Sequence, residues 1–233
     1  MNLEGIKAIL FDLDGTLINV DLKKFIPNYM RLLSEKFKDI IRPSKFISLL
    51  LEASDRIDQN DGSIINERVF EQVFFPLNGY SRKEVNHFFD EFYENDFIKL
   101  KIHTEAKQDA RFVMSKVFKR GYDVVIATTP VIPLTAIQQR LDWAGVGDFN
   151  YNFITTIENM SANKPHEKYY TQIFDTLRVK PSECLMIGDE NKDMLASKYG
   201  CLTYLVPSSN TNLEPTTPKP TFQGTLKELV DLL

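Results

Sequence analysis

Ala8-Ile9-Leu10-Phe11-Asp12-Leu13-Asp14-Gly15-Thr16 is the stretch on which the fold turns. Four apolar residues run together before the first carboxylate. A run without polar alternation marks a strand covered on both faces by helices, as in a parallel sheet. Residues two apart in an extended chain point the same way, so Asp12 and Asp14 stand together at the carboxyl end of that strand. Ligands of open parallel sheets bind at that edge. Two neighbouring carboxylates repel, a cation between them stabilises both, and hard oxygen ligands suit Mg²⁺. The motif is ambiguous alone, because Asp-Gly is also a common turn.

Four more apolar runs read as strands: Val124-Val125-Ile126-Ala127, Phe153-Ile154, Leu185-Met186-Ile187 and the run 202–206. Helical patterns over 105–120, 134–144, 167–177 and 192–199 separate them. Strands alternating with helices predict right-handed crossovers and an α/β fold, a Rossmann-like three-layer core on a parallel sheet. From Asp21 to about Ile102 no strand is evident. Amphipathic patterns there predict helices near 23–37, 45–59, 67–75 and 82–94, broken by turn chemistry at Arg42-Pro43-Ser44, Asn60-Asp61-Gly62 and Asn78-Gly79. The helical spacing of Phe88, Phe89, Phe92 and Tyr93 predicts a packing face rather than an aromatic binding box. The expected organisation is a core of residues 1–18 and 104–233 with an α-helical cap of residues 19–103. The Pro-, Ser-, Thr- and Asn-rich segment 207–220 reads as a surface loop before a last helix over 226–233.

A chain of 233 residues has room for one core domain and a smaller one. Its net charge of -4 gives no electrostatic reason to expect nucleic acid or an anionic membrane as partner. No apolar run approaches the roughly 20 residues of a membrane span, and Met1-Asn2-Leu3-Glu4-Gly5 carries no signal-peptide pattern. Cys184 and Cys201 lie beside apolar runs and read as buried free thiols. A cytoplasmic location is the default expectation. Oligomeric state has no signature in the chain.

Three further motifs follow later strands. Gly188-Asp189-Glu190-Asn191-Lys192-Asp193 opens a helix, and the four-residue spacing predicts Asp189 and Asp193 on one helical face, though Asp189 could also serve only as a cap. Thr128 closes the second strand, with Thr129-Pro130 after it; a hydroxyl and a free backbone N–H at a strand end can bind a phosphate oxygen. Lys164-Pro165 follows the third strand, with Pro165 placed for the first turn of a helix. Each signal is weak alone. All four converge on one edge of the predicted sheet. Together they offer a carboxylate nucleophile, a second acid/base carboxylate, a hydroxyl, a cation and metal ligands, the groups phosphoryl transfer requires.

These motifs, in this order over residues 8 to about 206, resemble the four motifs of the haloacid dehalogenase superfamily. The resemblance implies that Asp12 attacks phosphorus to form an aspartyl-phosphate, and that Asp14 protonates the leaving oxygen and then activates water. It implies that Thr128, Thr129 and Lys164 hold the phosphoryl group. It also implies that Asp12, the Asp14 carbonyl and Asp189 ligate Mg²⁺, supported by Asp193. The insert between the first two motifs is similar to the family's helical cap. Thr129 departs from the Asn that many relatives carry there; a backbone contact survives that change. The expected substrate is a small-molecule phosphate ester. Rivals are a phosphomutase, a phosphonate-cleaving enzyme using a cap lysine such as Lys23, Lys24 or Lys45, a 2-haloacid dehalogenase, and a non-catalytic binding module. Dehalogenases of the family typically lack the second Asp of the first motif and need no metal, so Asp14 with Asp189 favours phosphate. Asn19, Asp21 and Arg56 are candidate specificity residues in the insert.

Overall fold

The computed structural model describes residues 3–209 and 211–233. β1 (Ala8–Phe11) and β2 (Ile18–Val20) precede four helices, α1 (Leu22–Lys36), α2 (Pro43–Asp58), α3 (Asn66–Phe74) and α4 (Arg82–Glu91). A π-helical turn (Phe92–Asp96) and a 3₁₀ segment (Phe97–His103) lead to β3 (Thr104–Ala106). Then come α5 (Ala110–Lys119), β4 (Asp123–Ile126), α6 (Leu134–Trp143), β5 (Phe153–Ile154) and α7 (Glu167–Leu177). The chain ends with β6 (Cys184–Gly188), α8 (Asn191–Met194), β7 (Leu202–Leu205), β8 (Phe222–Gln223) and α9 (Leu226–Leu229).

Six strands form one sheet in the order β5-β4-β1-β6-β7-β8, and every pair is parallel. β1 is central and wholly buried, as its unbroken apolar run predicts. Its side chains alternate between two cores. Ile9 and Phe11 pack with Val113, Val117 and Ile137 from α5 and α6. Ala8 and Leu10 pack with Tyr169, Ile173 and Phe174 from α7. Helices therefore cover both faces, which gives three layers.

Several boundaries differ from expectation. Residues 104–106 are strand, paired antiparallel with β2 through Ile18↔Ala106 and Val20↔Thr104. The helix predicted from 105 starts later because Asp109 takes a left-handed backbone conformation at φ 66°, which a helix cannot continue through. The helix expected over 192–199 divides into α8 and a 3₁₀ segment, Leu195–Tyr199. The final helix stops at Leu229, and β8 falls between it and the segment 207–220, where no strand was expected.

The helical block 22–91 packs as its periodicity predicts. Phe37 sits 4.6 Å from Phe46 and 4.7 Å from Phe89, ring centre to centre, so the aromatic stripe is a packing face. Phe97 stacks on Trp143 of α6 at 5.3 Å, joining block to core. Cys184 and Cys201 are free and buried, as expected. Among the described residues, no helix is long and apolar enough to cross a membrane.

Candidate active site

Asp12 stands one residue past β1. Its N–H donates to the Ile187 carbonyl at 2.8 Å, which extends the ladder and fixes its direction. Lys164, from the loop after β5, is buried and donates from Nζ to Asp12 Oδ1 and to Asp193 Oδ1, each at 2.7 Å. Burial works against the Lys164 ammonium, but Asp12 and Asp193 outweigh it and hold its pKa well above the usual lysine value.

Asp189 comes directly after β6 and before α8. Asp193 lies inside α8, so the two do not share a helical face as their spacing predicted. Glu190, not Asp189, caps the helix, and its N–H donates to Asp193 Oδ2 at 3.2 Å. The segment 207–220, read as plain surface loop, holds Asp189 in place. Ser208 Oγ donates to Asp189 Oδ2 at 2.5 Å, and Thr211 Oγ1 to the Asp189 carbonyl at 2.9 Å. The carboxylates of Asp12, Asp189 and Asp193 bring oxygens within 4.8 Å of one another. Asp189 Oδ1 is buried and has no hydrogen-bond partner among the described residues. Burial first and Asp12 second push Asp189 up to about 6; burial also raises Asp193 against the pull of Lys164. Gly15 makes room for this cluster, because a Cβ there would lie 2.0 Å from Asp189 Oδ2. Three converging hard oxygen donors, one orphaned, fit a divalent cation.

Asp14 is half-buried and ion-paired with Arg140 of α6. Its Oδ1 is buried without a partner among the described residues. Arg140 is only 6% exposed; burial lowers its pKa to about 10, so it stays a cation at neutral pH. Thr128 is buried just beyond β4, and its carbonyl accepts from Thr155 Oγ1 at 2.7 Å and from the Tyr169 hydroxyl at 3.0 Å. Pro165 lies ahead of α7 rather than in its first turn. Lys107 Nζ donates to the Gly15 carbonyl, bracing the turn after Asp14.

Asp12, Asp14, Thr128, Thr129 and Lys164 line one cavity of about 250 Å³ between sheet edge and helical block. Asp189 and Asp193 meet Asp12 beneath it. Asn19, Asp21 and Arg56 do not line it, nor do Lys23, Lys24 and Lys45. Asn19 and Asp21 border a separate depression, and Asp21 pairs with Lys24. Arg140, Ser208, Thr211, Tyr169 and Lys107 escaped the sequence reading. None stands in a motif, and an arginine following Gln138 and Gln139 on an amphipathic helix reads as solvated surface.

A family model described as haloacid dehalogenase-like hydrolase matches residues 6–200. The chain is 25% identical over 195 residues to "Pyrophosphatase PpaX" of Bacillus cereus (strain G9842), covering 83% of this chain and 79% of that one. A HAD phosphatase structure from Thermococcus onnurineus superposes with TM-score 0.61 at 19% identity, covering 97% of each chain. L-2-haloacid dehalogenase from Xanthobacter autotrophicus gives TM-score 0.59 at 16% identity, over 97% of this chain and 98% of that one. The matched span takes in every motif residue gathered at the sheet edge, and the chain belongs to the haloacid dehalogenase-like hydrolases.

Proposed function

We propose that the protein is a Mg²⁺-dependent phosphohydrolase acting on a small phosphorylated metabolite, with Asp12 as nucleophile. The observation that carries this reading is the position of Asp12 at the cavity floor, with the Lys164 ammonium on one oxygen and two further carboxylates within 4.8 Å. Asp12 attacks phosphorus, and the bond to the leaving oxygen breaks. Asp14 gives that oxygen a proton; Oδ1, the oxygen left without a partner, is free to carry it. Asp14 then takes a proton from the water that attacks the aspartyl-phosphate, which frees inorganic phosphate and restores Asp12. Thr128, the Thr129 backbone and Lys164 hold the phosphoryl oxygens. Asp12, the Asp14 carbonyl and Asp189 would hold the cation, with Asp193 acting through Lys164. When bound, the cation supplies neutralisation of the phosphoryl charge. The helical block, residues 19–103 in our reading, serves as the cap that limits substrate size.

No lysine of the block named as a Schiff-base candidate lines the cavity, which supports hydrolysis over phosphonate cleavage. Retention of Asp14 and Asp189 supports phosphate over halide. The test is p-nitrophenyl phosphate turnover with Mg²⁺, with excess chelator, and in Asp12→Asn. We expect turnover by the parent, loss in chelator that Mg²⁺ reverses, and a fall of several orders of magnitude in Asp12→Asn. Parent-like rates in the variant would contradict the nucleophile. Full activity in chelator, or chelator-independent attack on a 2-haloacid, would favour the dehalogenase reading.

A further inference from the structure

The cavity above Asp12 differs sharply in chemistry between floor and roof. The roof comes from the helical block, where Leu22, Ile26, Met30, Leu50, Leu51 and Phe70 face the space. Leu22 and Ile26 of α1 and Leu51 of α2 are 39%, 44% and 50% exposed and cluster at this one cavity, as an apolar binding wall does. Among the described residues, the lysines and arginines lining the cavity are Lys164 and Arg140. Both belong to the floor and both are already paired. Lys164 holds Asp12 and Asp193, and Arg140 holds Asp14. Drawing Arg140 away toward a ligand would leave a second Asp14 oxygen without a partner, beside the one already orphaned.

A second chamber of about 220 Å³ adjoins the first and shares Tyr29, Leu50, Phe70 and Val131 with it. Among the described residues it supplies no free cation either. Arg82 is ion-paired with Glu67 and Glu71, and the other charged residues lining that chamber are Asp90, Glu94 and Glu158. A phosphate bound at the floor therefore meets a mostly apolar surface, with Ser54 as a hydroxyl in the helical block, and then an acidic one, with no unpaired lysine or arginine among the described residues to receive another negative charge.

Resting on the phosphohydrolase reading above, we infer that the group released from phosphate is apolar and uncharged, an alkyl or aryl alcohol. Substrates with a second anionic group, pyrophosphate and carboxylated phosphate esters among them, are poor. A desolvated anion against leucine and isoleucine has no compensating partner. Each methylene laid on the same wall gains transfer free energy. The cavity of about 250 Å³, just below the usual range for drug-sized ligands, fits a small alcohol, and the adjoining chamber leaves room for a longer alkyl chain.

The test is kcat/KM with Mg²⁺ for butyl and hexyl phosphate, for the hexyl ester carrying a terminal carboxylate, and for pyrophosphate. The two hexyl esters share one leaving oxygen, so chemistry is held constant while charge changes. We expect butyl to hexyl to gain about fourfold per methylene, and the carboxylated ester to fall at least about tenfold below its neutral partner. Leu51→Lys, at a half-exposed position that tolerates a charge, should narrow or reverse that gap. Equal or better turnover of the carboxylated ester or of pyrophosphate by the parent would overturn this inference while leaving the hydrolase reading standing. Failure to hydrolyse any ester, p-nitrophenyl phosphate included, would sink both together.

Discussion

Asp189 shows how one residue can be unfavourable for the fold and right for the chemistry. It is 1% exposed, faces Asp12, and keeps one oxygen without a donor. Its pKa rises from an ordinary 3.8 to about 6 for those reasons, burial first. The folded chain thus binds this proton more tightly than the unfolded chain does. The resulting stabilisation is fully present below about pH 4 and is lost as pH rises through about 6. A divalent cation held there, as we propose, would replace the proton and restore stability at high pH. We therefore expect the metal-free protein to lose melting temperature between about pH 4 and pH 6 relative to Asp189→Asn, and Mg²⁺ to recover the loss in the parent alone. Superimposable pH profiles of parent and variant would contradict this. Asp189 itself was legible because Gly-Asp follows an apolar strand. Ser208 and Thr211, which hold it, were not, since their loop contacts Asp189 across the fold and hydroxyl residues in a Pro-rich segment look like solvent-facing turn.

At the scale of elements, a buried amide network ties the helical block to the core. Asn66, at the start of α3, is fully buried and donates to the Pro130 carbonyl at 3.1 Å and to Asn163 Oδ1 at 3.0 Å. Asn60 donates to Asn66 Oδ1 at 2.8 Å, and Asn163 to Asp58 Oδ1 at 2.6 Å. Pro130 and Asn163 adjoin Thr129 and Lys164, so the network sets the block against the two loops we assign to phosphate. Asn66→Ala leaves several buried polar atoms unpaired. It should cost about 1–3 kcal/mol in denaturant unfolding, and raise KM more than it lowers kcat. A variant with parent-like stability and KM would refute the latch. The four helices of the block were readable from their 3.6-residue period, but the latch was not, because asparagines at helix ends read as turn residues. β2, β3 and β8 are two or three residues long, too short for alternation to register, and pairing across the chain makes them strands.

Across the whole molecule, the strand order explains why distant motifs meet. From β1 the chain passes to β4 and β5 on one side, then returns to β6, β7 and β8 on the other. The switch falls at β1, and in parallel sheets the crevice at such a point binds ligands. Asp12 after β1, Thr128 after β4, Lys164 after β5 and Asp189 after β6 therefore share one edge. That convergence was legible because β1, β4 and β6 are apolar runs leading straight into polar motifs, and Lys164-Pro165 follows the apolar pair of β5. The charge pairing of the floor and the apolar roof depend on which helix faces which, and one-dimensional periodicity does not carry that. The central claim is chemical: Asp12 carries the phosphoryl group. It is tested most directly by mixing Asp14→Asn with p-nitrophenyl phosphate and Mg²⁺, quenching in acid, and mapping the phosphoryl adduct by peptide mass spectrometry. The good leaving group needs little help from Asp14, whereas water attack does, so the account predicts a burst of p-nitrophenol and a phosphoryl group on Asp12. A burst stoichiometric with enzyme, with the phosphoryl group on another residue or on none, would contradict it.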